Sequence, residues 1–73
     1  MTTFLLDKEF ITLAMFLKVK GYINSGGETL FFIYNNKILL NKTSVKEKRK
    51  KIFNGDILII NNDIYKFVYE SND

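Results

Sequence analysis

The sequence has 73 residues, enough for one small domain, and its 47% hydrophobic and 26% charged residues are typical of a globular chain. It contains no cysteine and no histidine. Their absence excludes disulfides, zinc fingers, iron–sulfur clusters, and haem bound through either residue. It also excludes catalysis by a cysteine nucleophile or a histidine base. We therefore expect stability from apolar packing alone, with no metal and no cofactor.

No apolar stretch of the sequence is long enough to form a membrane-spanning helix. The longest strongly apolar runs, residues 13–17 and 30–34, are far shorter than the roughly 18 residues that a spanning helix needs. Apolar residues 4–6 are followed at once by charged residues 7–9, unlike the basic and then apolar order of a secretory signal. We expect a cytoplasmic protein.

The net charge of +3 is unevenly distributed. Residues 42–51, which we call the basic segment, read KTSVKEKRKK and carry a local charge of +5, which leaves −2 for the rest of the chain. A one-sided positive field is typical of proteins that bind polyanions. Alternatively, the lysines are solvated side chains that protect a sheet edge from aggregation, since a basic run alone is weak evidence for binding.

Helical spacing predicts a first short helix from Phe10 to Lys20. Apolar side chains recur three and four residues apart within this stretch. Thr12 is a candidate cap at its start, and Gly21 stands where a left-handed residue would end it.

The motif SGGE predicts the start of a second helix. Ser25 and Glu28 have the spacing of a capping box, so we expect the helix to begin at Gly26 and to end at Asn35–Asn36. Ser25 is interpreted as a structural cap. The backbone amides that follow it, including those of Gly26 and Gly27, are candidates for holding a phosphate, although the charge of Glu28 opposes an anion there.

Beyond the second helix the apolar period changes to that of strands. Asn41 and Lys42 predict one turn, and Asn54–Asp56 predict another. The predicted strands are residues 38–40, 48–53, 57–60 and 64–69. The order predicts an α+β fold of two short helices packed on a small antiparallel β-sheet.

Five motifs carry a resemblance to a known family: ITLAMFLKVKG, NSGGE, KILLN, KRKK and NGD. In this order the chain resembles the S-four domain, an RNA-binding domain named after protein four of the small ribosomal subunit. It is most similar to the short stand-alone YaaA-like members, over residues 10–69. The resemblance implies two helices on a small sheet, with the first helix, the start of the second and a basic hairpin forming one RNA-binding face.

The resemblance also assigns residues. The family's serine before the second helix is Ser25, the asparagine of its strand turn is Asn41, and its GD turn is Gly55–Asp56. Many members have arginine at Thr12 and Gly26, and a basic residue where this chain has Leu30 and Phe31, so the expected contact surface shifts toward the hairpin. The candidate RNA-binding residues are Lys18, Lys20, Ser25, Gly26, Gly27, Asn41, Lys42, Lys46, Lys48, Arg49, Lys50 and Lys51.

Aromatic residues divide into two groups by chemistry. The phenylalanines expected in the core are Phe16, Phe31, Phe32, Phe53 and Phe67. The tyrosines are candidates either for half-buried rings with wet hydroxyls or for stacking on unpaired bases, and they are Tyr22, Tyr34, Tyr65 and Tyr69.

These observations favour a non-enzymatic protein that binds structured RNA, with ribosomal RNA as the expected target, and that acts in ribosome assembly or RNA metabolism as a monomer. The acidic residues lack metal-ligand spacing, and SGGE is too short for a phosphate-binding loop. The main alternative is a protein–protein adaptor whose basic hairpin docks an acidic partner. Attachment to an anionic membrane through the lysines ranks lower, because no basic amphipathic helix or lipidation site is present.

Overall fold

Two short helices pack on a five-stranded sheet in the computed structural model, which describes residues 1–70. The elements are β1 (Thr2–Leu5), β2 (Phe10–Thr12), α1 (Leu13–Val19), a 3-10 turn (Gly26–Glu28), α2 (Thr29–Asn35), β3 (Ile38–Leu40), β4 (Thr43–Ser44), β5 (Lys51–Phe53), β6 (Ile57–Ile60) and β7 (Asp63–Val68). The predicted α+β class is confirmed.

The sheet has the strand order β1-β7-β6-β3-β4. Strands β3, β6 and β7 pair antiparallel, as predicted, and β3 also pairs antiparallel with β4, a two-residue strand that the sequence did not predict. The sequence did not predict β1, which lies parallel to β7 and places Phe4 opposite Phe67. The Phe4 ring packs 5.1 Å from that of Phe16 and 5.4 Å from that of Phe67, measured between centroids, so this strand is held by contacts with residues distant in sequence.

The first helix is shorter than predicted. It begins at Leu13 and not at Phe10, because Phe10–Thr12 forms β2 and pairs antiparallel with β5. Thr12 is the helix cap as predicted, and its Oγ1 accepts a hydrogen bond from the Met15 amide at 3.3 Å. Gly21 has a φ of +82°, the left-handed conformation expected of a residue that ends a helix.

The prediction of a strand through residues 48–53 is wrong for most of its length. Only Lys51–Phe53 is a strand, and the rest of the basic segment after Ser44 is an irregular loop. The physical reason is that β4 pairs with β3 whereas β5 pairs with β2, so the chain must cross between two sheets here. The basic residues therefore lie mainly on a loop that follows the hairpin β3–β4, and not on a hairpin strand.

The β3–β4 turn has the left-handed conformation that its sequence predicted. Asn41 and Lys42 have φ values of 50° and 73°. A two-residue turn with both central residues at positive φ matches the twist of antiparallel strands. Asparagine adopts this conformation readily, whereas lysine does so at a cost.

The core lies between the helices and the sheet. Phe16 and Phe67 are fully buried there, as predicted, and Phe32 packs against the core while partly exposed. The prediction that Phe31 and Phe53 are core residues is wrong, because they are 74% and 47% exposed. Phe53 alternates with buried residues on a two-stranded sheet, and Phe31 points away from the buried side of α2.

Candidate nucleic-acid interface

The loop of the basic segment is fixed to the start of α1 by its backbone. The Leu13 amide donates to the Lys50 carbonyl at 2.8 Å, and the Ala14 amide donates to the Lys48 carbonyl at 2.9 Å. The first amides of a helix have no acceptor within the helix, so they can donate to the carbonyls of the loop. The loop backbone is thereby anchored at Lys48 and Lys50 while its charged side chains remain exposed.

A groove brings the loop together with the start of the second helix. This groove, which we call the cationic groove, has a volume of about 510 Å³. One side is lined by Lys48, Arg49 and Lys51, and the helical side by Gly26 and Thr29. A Cβ atom added at Gly26 would meet nothing within 4 Å, so this side of the groove is open. The structure thus brings Gly26 next to three basic candidates that lie more than 20 residues away in the sequence.

Thr29 differs from the other residues of this groove because its hydroxyl is buried. The residue is 1% exposed, and its Oγ1 has no hydrogen-bond partner among the described residues. A buried hydroxyl without a partner costs about 1–3 kcal/mol. Thr29 is therefore a local weakness of the fold beside the cationic groove.

Two further basic candidates lie around a second hollow. Lys46 and Lys50 line a space of about 380 Å³ together with Asn41 and the acidic Glu47. Lys42 is exposed in the β3–β4 turn. The basic segment therefore displays its charges over more than one side of the loop.

Asn41 has a structural role in this region. Its side-chain nitrogen donates to Asp56 Oδ1 at 3.0 Å, and its Oδ1 accepts from the Ile57 amide at 2.9 Å. Asp56 in turn accepts from the Phe53 amide at 2.8 Å. These hydrogen bonds join the two turns predicted from the sequence, so Asn41 and Asp56 have a structural role whether or not Asn41 also contacts RNA.

Ser25 and Glu28 occupy the two positions of the predicted capping box, but the Ser25 hydroxyl makes no cap hydrogen bond, and the contact between the two residues is made by the Glu28 side chain. The Glu28 carboxylate accepts from the amides of Asn24 and Ser25 at 3.0 and 3.1 Å, and the Ser25 hydroxyl lies 3.4 Å from the same oxygen. The helix that follows begins with a 3-10 turn over Gly26–Glu28 and becomes α-helical at Thr29, later than predicted. A negative charge already lies at this helix start, and phosphate binding by the amides of Gly26 and Gly27 stays a prediction.

The structure does not bring Lys18 and Lys20 to the loop. They lie at the C-terminal end of α1, roughly 6–10 Å along the helix from the amides that hold the loop, and they do not line the groove. Lys20 instead places its Nζ 5.5 Å from the ring centroid of Tyr65.

The tyrosine candidates have very different surroundings. Tyr65 is buried, and its hydroxyl lies 2.7 Å from that of Tyr22, which donates to Asp63 Oδ2 at 2.7 Å. Burial, together with these hydrogen bonds, raises the pKa of Tyr22 above its ordinary range. Tyr69 is partly buried against the core. Only Tyr34 has a largely exposed ring, at 65%, with the Lys46 Nζ 5.7 Å from its centroid.

Phe31 is the more exposed of the two phenylalanines that the sequence interpretation wrongly placed in the core. Thr29 and Ile33 are the buried residues of α2, and Phe31 lies about 200° around the helix from each of them. Helical position within the run from Leu30 to Tyr34 is a signal that could have separated the exposed rings from the buried ones.

Within residues 1–70 there is no cluster of three potential metal ligands and no helix that could cross a membrane. No three acidic, cysteine or histidine side chains come together there as a ligand set. The two α-helices of this range have seven residues each, too few to cross a bilayer.

Comparison with known proteins places the chain in a family. The family model of the S4 domain, which is the S-four domain named above, matches residues 4–68. A probable ribosome maturation protein, RlbA, of Bacillus subtilis (strain 168) is 34% identical over 55 residues, which are 75% of this chain and 78% of the relative. The resemblance inferred from the motifs is therefore confirmed, and the chain belongs to the S4 domain family.

Proposed function

We propose that this protein binds structured RNA and acts in ribosome assembly, without catalysing a reaction. Its membership of the S-four family supports RNA binding, and the similarity to a probable ribosome maturation protein supports the assembly role. The basic segment is the proposed surface for RNA phosphates.

The observation that carries this proposal is the cationic groove. Lys48, Arg49 and Lys51 line it from a loop whose backbone is fixed to α1, opposite the open position at Gly26. Because the loop is held before binding, less conformational entropy is lost when its side chains contact phosphates. Phosphate contacts determine register and orientation on the nucleic acid, and paired RNA is recognised mainly by the shape of its backbone.

Charge reversal at the groove tests this function. We expect Lys48→Glu with Arg49→Glu to abolish binding to a ribosomal RNA fragment at moderate salt. For the parent protein, the logarithm of affinity should fall by about 0.7–0.9 per neutralised phosphate as the logarithm of salt concentration rises. Fluorescence anisotropy with labelled RNA measures both effects, and circular dichroism checks that each variant is folded.

The matched control is Lys8→Glu with Lys66→Glu, which changes the net charge by the same amount at two exposed positions outside the groove. This control should retain most of the parent's affinity. Equal losses in both variants would show that net charge alone drives binding and would contradict the proposed groove. Binding of poly-glutamate as tightly as RNA would favour the adaptor alternative instead.

A further inference from the structure

An apolar stripe is exposed on α2. Leu30, Phe31 and Tyr34, which we call the apolar stripe, are 46%, 74% and 65% exposed. In the same helix Thr29 and Ile33 are buried against the core. The stripe therefore contributes little to packing of the monomer, although large apolar side chains are the ones that gain most from burial.

The stripe lies alongside the basic segment. Gly26, Leu30 and Tyr34 are four residues apart, so they follow one side of the second helical region. At one end of this side, Gly26 shares the groove with Lys48. At the other end, the Lys46 Nζ lies 5.7 Å from the centroid of the Tyr34 ring. Cationic side chains therefore lie near both ends of this side of the second helical region.

This arrangement matches the two halves of a nucleotide. Lysine and arginine side chains bind the phosphates, and exposed aromatic rings stack on the bases. Bases within a paired stem are stacked on each other and offer no free face, whereas bases in bulges, loops and ends do. A cation beside an aromatic ring, as at Tyr34, also strengthens stacking platforms in proteins that bind single strands.

We propose that the apolar stripe binds unpaired bases of the RNA, so that the preferred ligand is a stem with an adjoining bulge or loop. The inference rests on the proposed function, which supplies the phosphate contacts beside the stripe. Phe31 and Tyr34 stack on the bases, Leu30 packs against their edges, and the cations of the loop hold the backbone of the same RNA. A fully paired stem engages the cations alone.

The test compares two synthetic RNA hairpins, one with a bulge of unpaired nucleotides and one in which the same nucleotides are paired. We expect the parent protein to prefer the bulged hairpin by roughly 5-fold or more, because stacking of one base on an aromatic ring contributes about 1–3 kcal/mol. Phe31→Leu with Tyr34→Leu should remove this preference. The double variant should keep the affinity for the paired hairpin and the salt dependence, because the cations are unchanged.

Leucine is chosen because it keeps an apolar surface while removing the rings. The matched control is Leu5→Ala with Met15→Ala, which removes exposed apolar side chains, 71% and 52% exposed, from a different groove. This control should retain the preference for the bulged hairpin. Quenching of a 2-aminopurine base placed in the bulge gives an independent readout of stacking, and it should be lost only in the stripe variant.

The outcomes separate this inference from the proposed function. Salt-dependent binding of both hairpins with no preference would overturn the stripe's role and leave the proposed function intact. Absence of salt-dependent binding to either hairpin would overturn both. If the stripe variant instead changes only self-association in sedimentation, or only binding to phosphatidylserine vesicles, the stripe contacts a second copy or a lipid surface and the inference is wrong.

Discussion

Replacement of Thr29 by valine is expected to stabilise the protein. Thr29 is 1% exposed, and its hydroxyl has no hydrogen-bond partner among the described residues. Valine has nearly the same shape and the same preference for helices, so the change replaces an unpaired buried oxygen by a methyl group. The Thr29 hydroxyl is hydrated in the unfolded protein but has no partner in the folded one, so its burial favours unfolding. Removing it should therefore raise the free energy of unfolding.

The magnitude follows from two contributions. An unsatisfied buried hydroxyl costs about 1–3 kcal/mol, and a buried methyl group contributes about 0.8 kcal/mol. The new methyl group fits a space shaped for a hydroxyl, so part of these contributions is offset by small changes in packing. We therefore expect the free energy of unfolding to rise by about 1–2 kcal/mol. For a domain of this size each kcal/mol corresponds to a rise in Tm of roughly 4–8 °C.

Thermal and urea unfolding, followed by circular dichroism, measure the change. Thr12→Val is the matched control, because the Thr12 hydroxyl caps α1 by accepting from the Met15 amide. The same chemical change there should lower stability by about 1 kcal/mol. A destabilised Thr29→Val variant would refute the reasoning, since it would show that the Thr29 hydroxyl has a partner in solution.

Three further predictions concern the turn, the groove and a tyrosine pair. Lys42→Gly should raise the free energy of unfolding by about 1 kcal/mol because Lys42 has a φ of 73°, whereas Lys46→Gly should give no such gain in a urea titration. Gly26→Arg should tighten RNA binding at low salt, because the position is open toward the groove, and an unchanged affinity in a folded variant would contradict the groove geometry. Burial and hydrogen bonds raise the pKa of Tyr22 in the folded protein, so the neutral hydroxyl stabilises the fold. This stability is fully present below the ordinary tyrosine pKa of about 10 and is lost as the pH rises above it. Tyr22→Phe should therefore lose less stability than the parent on raising the pH from about 9 to 11 in melting experiments.

Features encoded by neighbouring residues could be predicted from the sequence. The cap at Thr12 and the end of the first helix at Gly21 depend on backbone conformations within a few residues. The Asn41–Lys42 turn and the apolar strand Ile57–Ile60 were predicted at their observed positions for the same reason. The order of the motifs was enough to indicate the S-four family.

Features that depend on distant partners could not be predicted in this way. Residues 2–5 become a strand only because β7 provides a parallel partner, and residues 10–12 leave the helical pattern only because they pair with β5. Pairing between segments so far apart is decided by the packed core and leaves no local signal. The tertiary structure likewise decided that the loop of the basic segment is fixed to α1.

The same distinction applies to the candidate interface. The sequence by itself determined the charge of residues 42–51, but not which of those cations face the second helix. It determined that α2 is rich in aromatic residues, but the side of the helix that the core covers decided that Ile33 is buried and Phe31 is exposed. Composition fixes which chemical groups are available, whereas burial of one helix side against a sheet decides which of them remain free to contact a ligand.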